Sequence, residues 1–263
     1  MHDATLAWRQ LIAEVLKAGE LVAPRHLKTL ELAQHTIVVD SRRPVMLEPA
    51  RRLSYRFMAA EAFWILSGDD RVATIAPYNE RIADYSDDGE TFFGAYGPRI
   101  LEQLPYVVAK LKQDPSTRQA GLTTWRANPP KTKDAPCTVA FFFTIRQGEL
   151  RCHVFMRSSD AWLGIPYDVF NFSMLMHLVC AHLNEGKGGD EPIVPGGLHL
   201  TAASSHLYEP QWAPARACLV QPLPRRQAAT PSYLYMSREG LLTTLHDLRE
   251  PSGKQLRWWE QRP

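Results

Sequence analysis

Apolar residues follow two patterns along this chain, and the clearest example of each lies between residues 137 and 183. Residues 139–145 are β-branched or aromatic except for Ala140, which predicts a buried strand. Gln147, Gly148 and Glu149 end that run and predict a tight turn, after which residues 150–156 alternate between apolar and polar. From Ile165 onward the apolar residues recur at helical spacing, at Val169, Phe172, Leu175, Met176 and Val179. The pattern therefore predicts a hairpin followed by a long buried helix.

The same reading divides the rest of the chain into further helices and strands. The predicted helices cover residues 6–19, 52–66, 72–85 and 100–112, with an amphipathic segment from Gly240. The predicted strands cover residues 35–40 and 119–125, with others near residues 218–220 and 233–236. Residues 126–135, rich in proline and lysine, are predicted as a loop that presents Cys137. Helices mixed with strands that do not alternate in polarity indicate an α+β, or mixed α/β, fold.

Composition narrows the class of protein. With 263 residues and 45% hydrophobic content, we expect one domain over residues 1–263. A balance of 30 basic and 28 acidic residues argues against DNA as a partner. The cysteines lack metal-binding spacing, which predicts no metal and a reducing cytoplasm. Residues 1–20 lack an apolar signal segment and no run is long enough for a membrane span, so we expect no membrane partner.

Reactive and charged side chains cluster around the predicted hairpin. Cys137 precedes its first strand, Arg157, Ser158 and Asp160 follow its second, and Asp168 lies in the first turn of the helix. Each has an ordinary structural interpretation, because free cysteines are mostly buried and aspartate is favoured at helix starts. A thiolate nucleophile, however, needs positive charge nearby to lower its pKa, and arginine supplies that charge.

Three segments here resemble the thymidylate synthase family. They are Ala-Pro-Cys at 135–137, Arg-Ser-Ser-Asp at 157–160, and Leu-Gly-Ile-Pro-Tyr-Asp at 163–168. The resemblance extends to residues 61–68, 94–97 and 205–208, and covers roughly residues 20–212. It implies a large mixed sheet flanked by helices, with sheets packed back to back in a homodimer.

The resemblance also implies roles for individual residues. Cys137 matches a nucleophile that attacks C6 of a pyrimidine nucleotide. Glu61 matches a glutamate that relays protons, Tyr96 a tyrosine that helps to remove the C5 proton, and Asp168 the residue that contacts the base. These four form the predicted catalytic set, and Asp168 is also counted as a substrate ligand.

Substrate and folate ligands follow from the same resemblance. The predicted phosphate ligands are Arg25, Arg157 and Ser158, with Arg118 supplied across the dimer by the partner chain. His206 and Tyr208 match a pair that holds the sugar 3′-hydroxyl. Asp160 matches the aspartate that binds the pterin of 5,10-methylenetetrahydrofolate. The remaining residues predicted at the folate site are Trp64, Ile82 and Tyr85.

The chain departs from the family pattern in ways that bear on the product. Ile82 and Tyr85 stand where synthases carry two tryptophans, Thr138 replaces a histidine and Ser204 an aspartate. Residues 258–263 do not resemble the short apolar tail that closes a synthase site. These differences weaken hydride transfer from tetrahydrofolate and favour addition of water, so we expect a 5-hydroxymethylated nucleotide.

Three alternatives stay open at this point. The first is a methyltransferase in which tetrahydrofolate donates hydride. The second is a catalytically silent member that binds nucleotide or RNA, although such a protein has no need of Cys137 and Glu61 together. The third is a cysteine hydrolase using Cys137 with His206, which lacks an evident acidic or amide residue to orient the histidine.

Asp168 bears on the choice of base. Synthases carry asparagine here, and its amide satisfies both O4 and N3 of uracil. Cytosine reverses these groups, so a carboxyl group at Asp168 suits a cytidylate, dCMP or CMP. The sequence leaves open whether the sugar is ribose or deoxyribose, and what residues 213–263 do.

Overall fold

The computed structural model describes residues 1–186, 191–223 and 236–250. The strands are β1 (Glu20–Val22), β2 (Thr29–Asp40), β3 (Gly121–Thr123), β4 (Thr138–Arg146), β5 (Glu149–Met156), β6 (Ser159–Asp160) and β7 (Val194–Tyr208). The helices are α1 (Ala4–Ala18), α2 (Tyr55–Leu66), α3 (Val72–Ile75), α4 (Tyr96–Gln113), α5 (Ile165–Asn184), α6 (Glu209–Val220) and α7 (Arg238–Arg249).

The strands form one mixed sheet of seven strands in the described residues. Its order is β1-β2-β7-β5-β4-β3, and β6 pairs with β7. β5 and β6 run parallel to β7, whereas the other neighbouring pairs are antiparallel. The large mixed sheet flanked by helices confirms the predicted α+β class.

The predicted hairpin is present as β4 and β5. Gln147 and Gly148 connect the strands with φ values of 54° and 75°, the left-handed pair that matches the twist of a two-residue hairpin. Every second residue of β5 (Leu150, Cys152, Val154 and Met156) is buried on the helix-covered face. α5 is the predicted long helix, and it is buried on nearly all sides. The apolar segments of β4, β5 and α5 therefore lie at the centre of the core.

Two predicted elements differ from the structure. The helix predicted over 72–85 stops after Ile75 and continues as 3-10 turns at Ala76–Tyr78 and Glu80–Tyr85, because Pro77 has no N–H to extend the α-helix. The strand predicted near 218–220 is wrong, since these residues are the last turn of α6 and Cys218 packs inward one turn after Ala215. Such short apolar runs do not distinguish helix from strand. Most of the predicted strand at 233–236 lies outside the described residues.

The opposite face of the sheet carries exposed aromatic rings. Phe142 on β4 and Phe155 on β5 are 42% and 45% exposed, and their ring centroids lie 6.2 Å apart. Beside them, His153 of β5 stacks on His199 of β7 at 4.6 Å. The helices of the described residues leave these side chains uncovered. Back-to-back packing in a homodimer stays a prediction, and this exposed face is the surface that such packing would use.

One end of the sheet collects the predicted site residues. Thr138 at the start of β4 lies opposite Met156 at the end of β5, so Cys137 and Arg157 are neighbours. Asp160 on β6 pairs with His206 on β7, and Tyr208 pairs with Thr29 of β2. The strand register therefore gathers residues that are far apart in sequence. Among the described helices, none is long and apolar enough to cross a membrane.

Candidate active site

Cys137 is held in place by Arg157. The Arg157 backbone N–H donates to the Cys137 carbonyl at 2.8 Å, which continues the β4–β5 ladder by one residue. Its guanidinium Nε donates to the carbonyl of Pro136 at 2.9 Å, and Nη2 donates to that of Ala135 at 2.8 Å. Arg157 therefore fixes the loop before the thiol while the rest of its guanidinium group stays exposed.

The thiol of Cys137 is mostly buried. Burial raises the pKa of Cys137 above its ordinary value, and the nearby positive charge of Arg157 opposes that rise without cancelling it. The carboxyl groups of Asp168 and Asp134 raise the thiol pKa further. Arg157 therefore lowers the pKa of the thiol, but desolvation and the acidic neighbours outweigh it. Activation of the thiol by arginines stays a prediction.

Tyr96 joins α4 to the nucleophile loop. Its hydroxyl oxygen accepts a hydrogen bond from the Thr138 backbone N–H at 3.2 Å. Burial raises the pKa of Tyr96 well above that of an exposed phenol, and the charges of Asp168 and Cys137 act in the same direction. The phenol therefore keeps its proton near neutral pH and remains a hydrogen-bond donor beside the thiol.

Glu61 projects from α2 towards α5. Its Oε2 accepts a hydrogen bond from the side-chain Nδ2 of Asn171 at 2.7 Å. Burial raises the pKa of Glu61 to about 7, and this hydrogen bond opposes the rise. A carboxyl group with such a pKa exchanges its proton near neutral pH, as general acid/base catalysis requires.

Asp168 lies in the first turn of α5 but does not cap the helix. Gly164 occupies the N-cap position without a side-chain hydrogen bond, and the Asp168 carboxyl group makes no hydrogen bond within the described residues. Burial raises the pKa of Asp168 well above its ordinary value, and the charges of Glu61 and Asp160 add to the rise. The oxygens of this carboxyl group therefore have no hydrogen-bond partner among the described residues.

Asp160 shapes the turn between β6 and α5. Its Oδ1 accepts hydrogen bonds from the backbone N–H groups of Trp162 and Leu163, each at 2.8 Å. Burial raises the pKa of Asp160, whereas these two bonds and the positive charge of His206 oppose the rise. Oδ2 makes no hydrogen bond among the residues that the structure describes, so one oxygen remains for a ligand.

His206 and Tyr208 form a pair on β7. Their rings pack edge to face at 5.1 Å, and the Tyr208 hydroxyl accepts from Nη2 of Arg25 at 3.2 Å. Arg25 lies in a 3-10 turn with φ of 52°, a backbone conformation that few non-glycine residues adopt. The predicted sugar ligands His206 and Tyr208 therefore lie beside Arg25, which is one of the predicted phosphate ligands.

Arg118 lies at the wrong end of the sheet to reach Cys137 of its own chain. Ala120 accepts from the Phe143 backbone N–H at 2.8 Å, which places Arg118 beside the far half of β4. Cys137 precedes the near end of that strand, so at ~3.3 Å per residue the two lie roughly 20 Å apart. Arg118 is exposed, as is the adjacent Gln119.

The predicted folate residues occupy different surroundings. Tyr85 is 58% exposed on a 3-10 turn, and Ile82 lies partly buried in the same turn. Trp64 is buried, with its ring edge to face against Phe92 at 5.6 Å, and its Nε1 has no hydrogen-bond partner in the described residues. Ser158 is partly buried beside Arg157.

Three polar contacts at the site were absent from the sequence prediction. They are the bond from Asn171 to Glu61, the bond from the Gly94 N–H to Asp134 Oδ2 at 2.6 Å, and the bond from Ser204 to Glu31 Oε2 at 2.5 Å. Asn171 carried one usable signal, because it interrupts the apolar run of α5 three residues after Asp168. Among the described residues, no group of three or more histidine, cysteine or acidic side chains is arranged to hold a metal ion.

Comparison with known proteins shows a matching family and a similar relative. The family model described as "Thymidylate synthase" matches residues 6–239. A deoxyuridylate hydroxymethyltransferase from Bacillus phage SP01 is 31% identical over 237 residues, which cover 78% of this chain and 57% of that relative. The chain therefore spans less than two thirds of the length of this relative.

The raised pKa of Glu61 predicts a pH-dependent loss of stability. Because the folded-state pKa is about 7 against an ordinary 4.5, the neutral form stabilises the fold below pH 4.5, and this contribution is lost as the pH rises through 7. Glu61→Gln keeps a neutral side chain at every pH. We expect the stability of the variant relative to wild type to increase by about 3 kcal/mol from pH 4.5 to 8.

Urea unfolding across this pH range measures the difference. Glu102→Gln on the exposed side of α4 is the control, and its difference from wild type should not vary in this way. A constant difference between Glu61→Gln and wild type would contradict burial as the cause of the raised pKa.

Proposed function

Since the chain belongs to the thymidylate synthase family, we propose that it hydroxymethylates C5 of a pyrimidine nucleoside monophosphate, with 5,10-methylenetetrahydrofolate as co-substrate. The observation that carries the proposal is the convergence of Cys137 and Tyr96 with the acidic groups of Glu61 and Asp168. We further propose that residues 1–263 form one catalytic domain.

Cys137 begins the reaction by adding its sulfur to C6 of the base. The electron pair of the C5=C6 bond moves onto C5, which becomes the nucleophile for one-carbon transfer. The mostly buried thiol needs positive charge to ionise, and a bound dianionic phosphate holds Arg157 and Arg25 close to it. Arg157 has its Nη1 free of hydrogen bonds within the described residues, so it can bind phosphate without releasing the loop.

The remaining residues bind and orient the nucleotide. Ser158 adds a neutral phosphate donor beside Arg157, and His206 with Tyr208 takes the sugar 3′-hydroxyl. Tyr96, as a protonated phenol beside the thiol, orders the path by which the C5 proton leaves. Glu61, with a pKa of about 7, accepts and returns protons during these steps.

The folate co-substrate supplies a one-carbon unit at the oxidation level of formaldehyde. The residues near Asp160 suit a pterin, because one carboxylate oxygen has no partner in the described residues and Leu163, beside it, is 50% exposed. Ile82 and Tyr85 offer apolar surface for the rings of the pterin. The buried Trp64 supports this surface from the protein interior. Apolar walls with a single convergent polar group are typical of such sites.

Water completes the proposed reaction. After folate and the C5 proton have left, water adds to the exocyclic methylene of the base, and the electrons expel the Cys137 thiolate to restore C5=C6. The nucleotide gains CH₂O and tetrahydrofolate is released without oxidation. Ile82 in place of tryptophan and the hydroxymethyltransferase name of the phage relative both support this outcome. Methyl transfer would instead add CH₂ and oxidise the folate to dihydrofolate.

The choice of base depends on Asp168. Its carboxyl group has no hydrogen-bond partner in the described residues and its pKa is well raised. A carboxyl group can accept the 4-amino hydrogen of cytosine and share a proton with N3, so we propose a cytidylate. Deoxyuridylate is the second candidate, because the phage relative is named for it.

We also propose a homodimer through the open face of the sheet. The exposed rings of Phe142 and Phe155 lie on this face, and burying them against a second copy removes apolar surface from water. The separation of Arg118 from Cys137 of its own chain supports the same assembly, because only a partner can bring Arg118 to the phosphate.

Release of tritium from a [5-³H]pyrimidine nucleotide tests the reaction class. Wild-type protein with methylenetetrahydrofolate should release tritium, give a product heavier by CH₂O and form no dihydrofolate. Cys137→Ser should abolish release while it retains nucleotide binding, because a hydroxyl is a far weaker nucleophile than a thiolate. A product heavier by CH₂ would make the protein a methyltransferase, and no release at all would favour a silent binder or a hydrolase.

Mixed dimers test the sharing of Arg118. Homodimers of Cys137→Ser should be inactive, and homodimers of Arg118→Ala should bind nucleotide weakly. After the two variants are unfolded together and refolded, half of the dimers are mixed, and each contains one intact site. We expect activity to recover to roughly a quarter of wild type, following the two-fold symmetry. No recovery would exclude a role for Arg118 across the interface.

Exchange of Asp168 for asparagine tests the base. A carboxyl group can donate to O4 of uracil only while it keeps its proton, and once ionised it sets acceptor against acceptor, which costs on the order of 1 to 3 kcal/mol. Asp168→Asn should therefore shift kcat/KM towards uridylate by about ten-fold or more. Wild-type preference for uridylate would make a uridylate the substrate, and an unchanged ratio in the variant would remove Asp168 from base selection.

A further inference from the structure

Asn171 is a buried amide whose hydrogen bonding is incomplete. Its side chain is 3% exposed on α5 and donates through Nδ2 to Glu61 at 2.7 Å. Its Oδ1 is buried and has no hydrogen-bond partner in the described residues. An unpaired buried carbonyl destabilises a fold, so this arrangement calls for an explanation beyond packing.

A second asparagine on the same helix shows the ordinary arrangement. Asn184 donates through Nδ2 to the Ile193 carbonyl and accepts at Oδ1 from the Ile193 N–H, both at 2.9 Å. Both ends of that amide are used, and they tie the end of α5 to the segment before β7. Asn171 instead makes its one side-chain hydrogen bond, among those of the described residues, to an ionisable group.

Titratable groups around Glu61 and the residues next to it come from several elements. From α5, Asp168 and Tyr167 interact with it electrostatically, and Asn171 lies one turn beyond Asp168 on the same face. From α7, His246 and Arg249 pack on the ring of Phe63. From α4, Tyr96 interacts with Asp168 and Cys137. Asn171 is the neutral group that contacts Glu61 directly.

An amide can partner either protonation state of a carboxyl group. With Nδ2 towards Glu61 it donates to the carboxylate, and after a half-turn about the Cβ–Cγ bond its Oδ1 accepts from the protonated acid. Because Oδ1 has no other partner in the described residues, the half-turn breaks no second hydrogen bond. A fully bonded amide such as Asn184 lacks this freedom.

We propose that Asn171 is a positioning residue that holds Glu61 in one orientation through both halves of its proton cycle. The inference rests on the proposed function for its catalytic meaning, since Glu61 is the proton relay of that reaction. The contact itself does not depend on which nucleotide binds. Asn171 touches neither substrate nor folate in this assignment, and it acts through Glu61.

Replacement of Asn171 by leucine removes the amide and keeps the branch of the side chain at Cγ. We expect the titration midpoint of Glu61 to rise by about one pH unit or more, because the lost hydrogen bond to the charged carboxylate is stronger than the bond to the neutral acid. Carbon-13 NMR of glutamate-labelled protein measures this midpoint, with the Glu61 signal identified by its absence in Glu61→Gln. Asn171→Ser, whose hydroxyl also donates and accepts, should return the midpoint towards wild type.

The pH profile of tritium release supplies the second measurement. In Asn171→Leu the kcat should fall at least ten-fold with KM little changed, and the inflection that Glu61→Gln abolishes should move upward. Asn184→Leu is the matched control, because it removes a partly buried, hydrogen-bonded amide at the other end of α5 from Asn171. This control should lower the free energy of unfolding without moving the titration midpoint of Glu61 or the inflection of the pH profile. If Asn171→Leu fails to fold, Asn171→Ser and Asn171→Asp carry the test, and the latter should raise the midpoint most.

The positioning role of Asn171 and the proposed function are tested by different results. An unchanged Glu61 midpoint in the Asn171 variants would overturn the positioning role, whatever the activity. A midpoint that shifts by the same amount in Asn184→Leu would also overturn it, by showing a general effect of helix destabilisation. Absence of tritium release from wild type would overturn the proposed function, while the NMR midpoint would still decide whether Asn171 controls Glu61.

Discussion

The hydrogen bond from the Arg157 N–H to the Cys137 carbonyl is the constraint on which the site depends. It continues the β4–β5 ladder past Met156, and so places the thiol, the arginine and the next turn at one end of the sheet. A shift of register by one residue would turn every side chain of the strand to the other face. The alternating burial of β5 against α5 prevents that shift.

A second constraint is the lack of water around the acidic groups. Glu61, Asp160 and Asp168 come from α2, β6 and α5, and burial raises the pKa of all three carboxyl groups. Their mutual repulsion adds to the effect on Asp168. The same surroundings raise the pKa of Cys137, so the site favours neutral groups. The anionic phosphate is therefore part of the activation that we propose for the thiol.

Much of the fold was predictable because the apolar pattern was strong. The hairpin, α5, α1 and α4 each combine a long apolar pattern with a clear end, and all four are present. The prediction was wrong where the signal was short, since residues 218–220 finish a helix and Pro77 divides the segment after α3. Short runs take the structure that their neighbours impose, and those neighbours are distant in sequence.

The sequence by itself determined the family and predicted the nucleophile and the acidic residues, because these are specified by residue type within motifs. Only the tertiary structure decided which groups meet. It placed Asn171 on Glu61 and Glu31 on Ser204, and it separated Arg118 from Cys137 of the same chain. It also decided that burial outweighs Arg157 in setting the pKa of the thiol. Contacts and desolvation depend on distance in space, which residue types and local spacing do not contain.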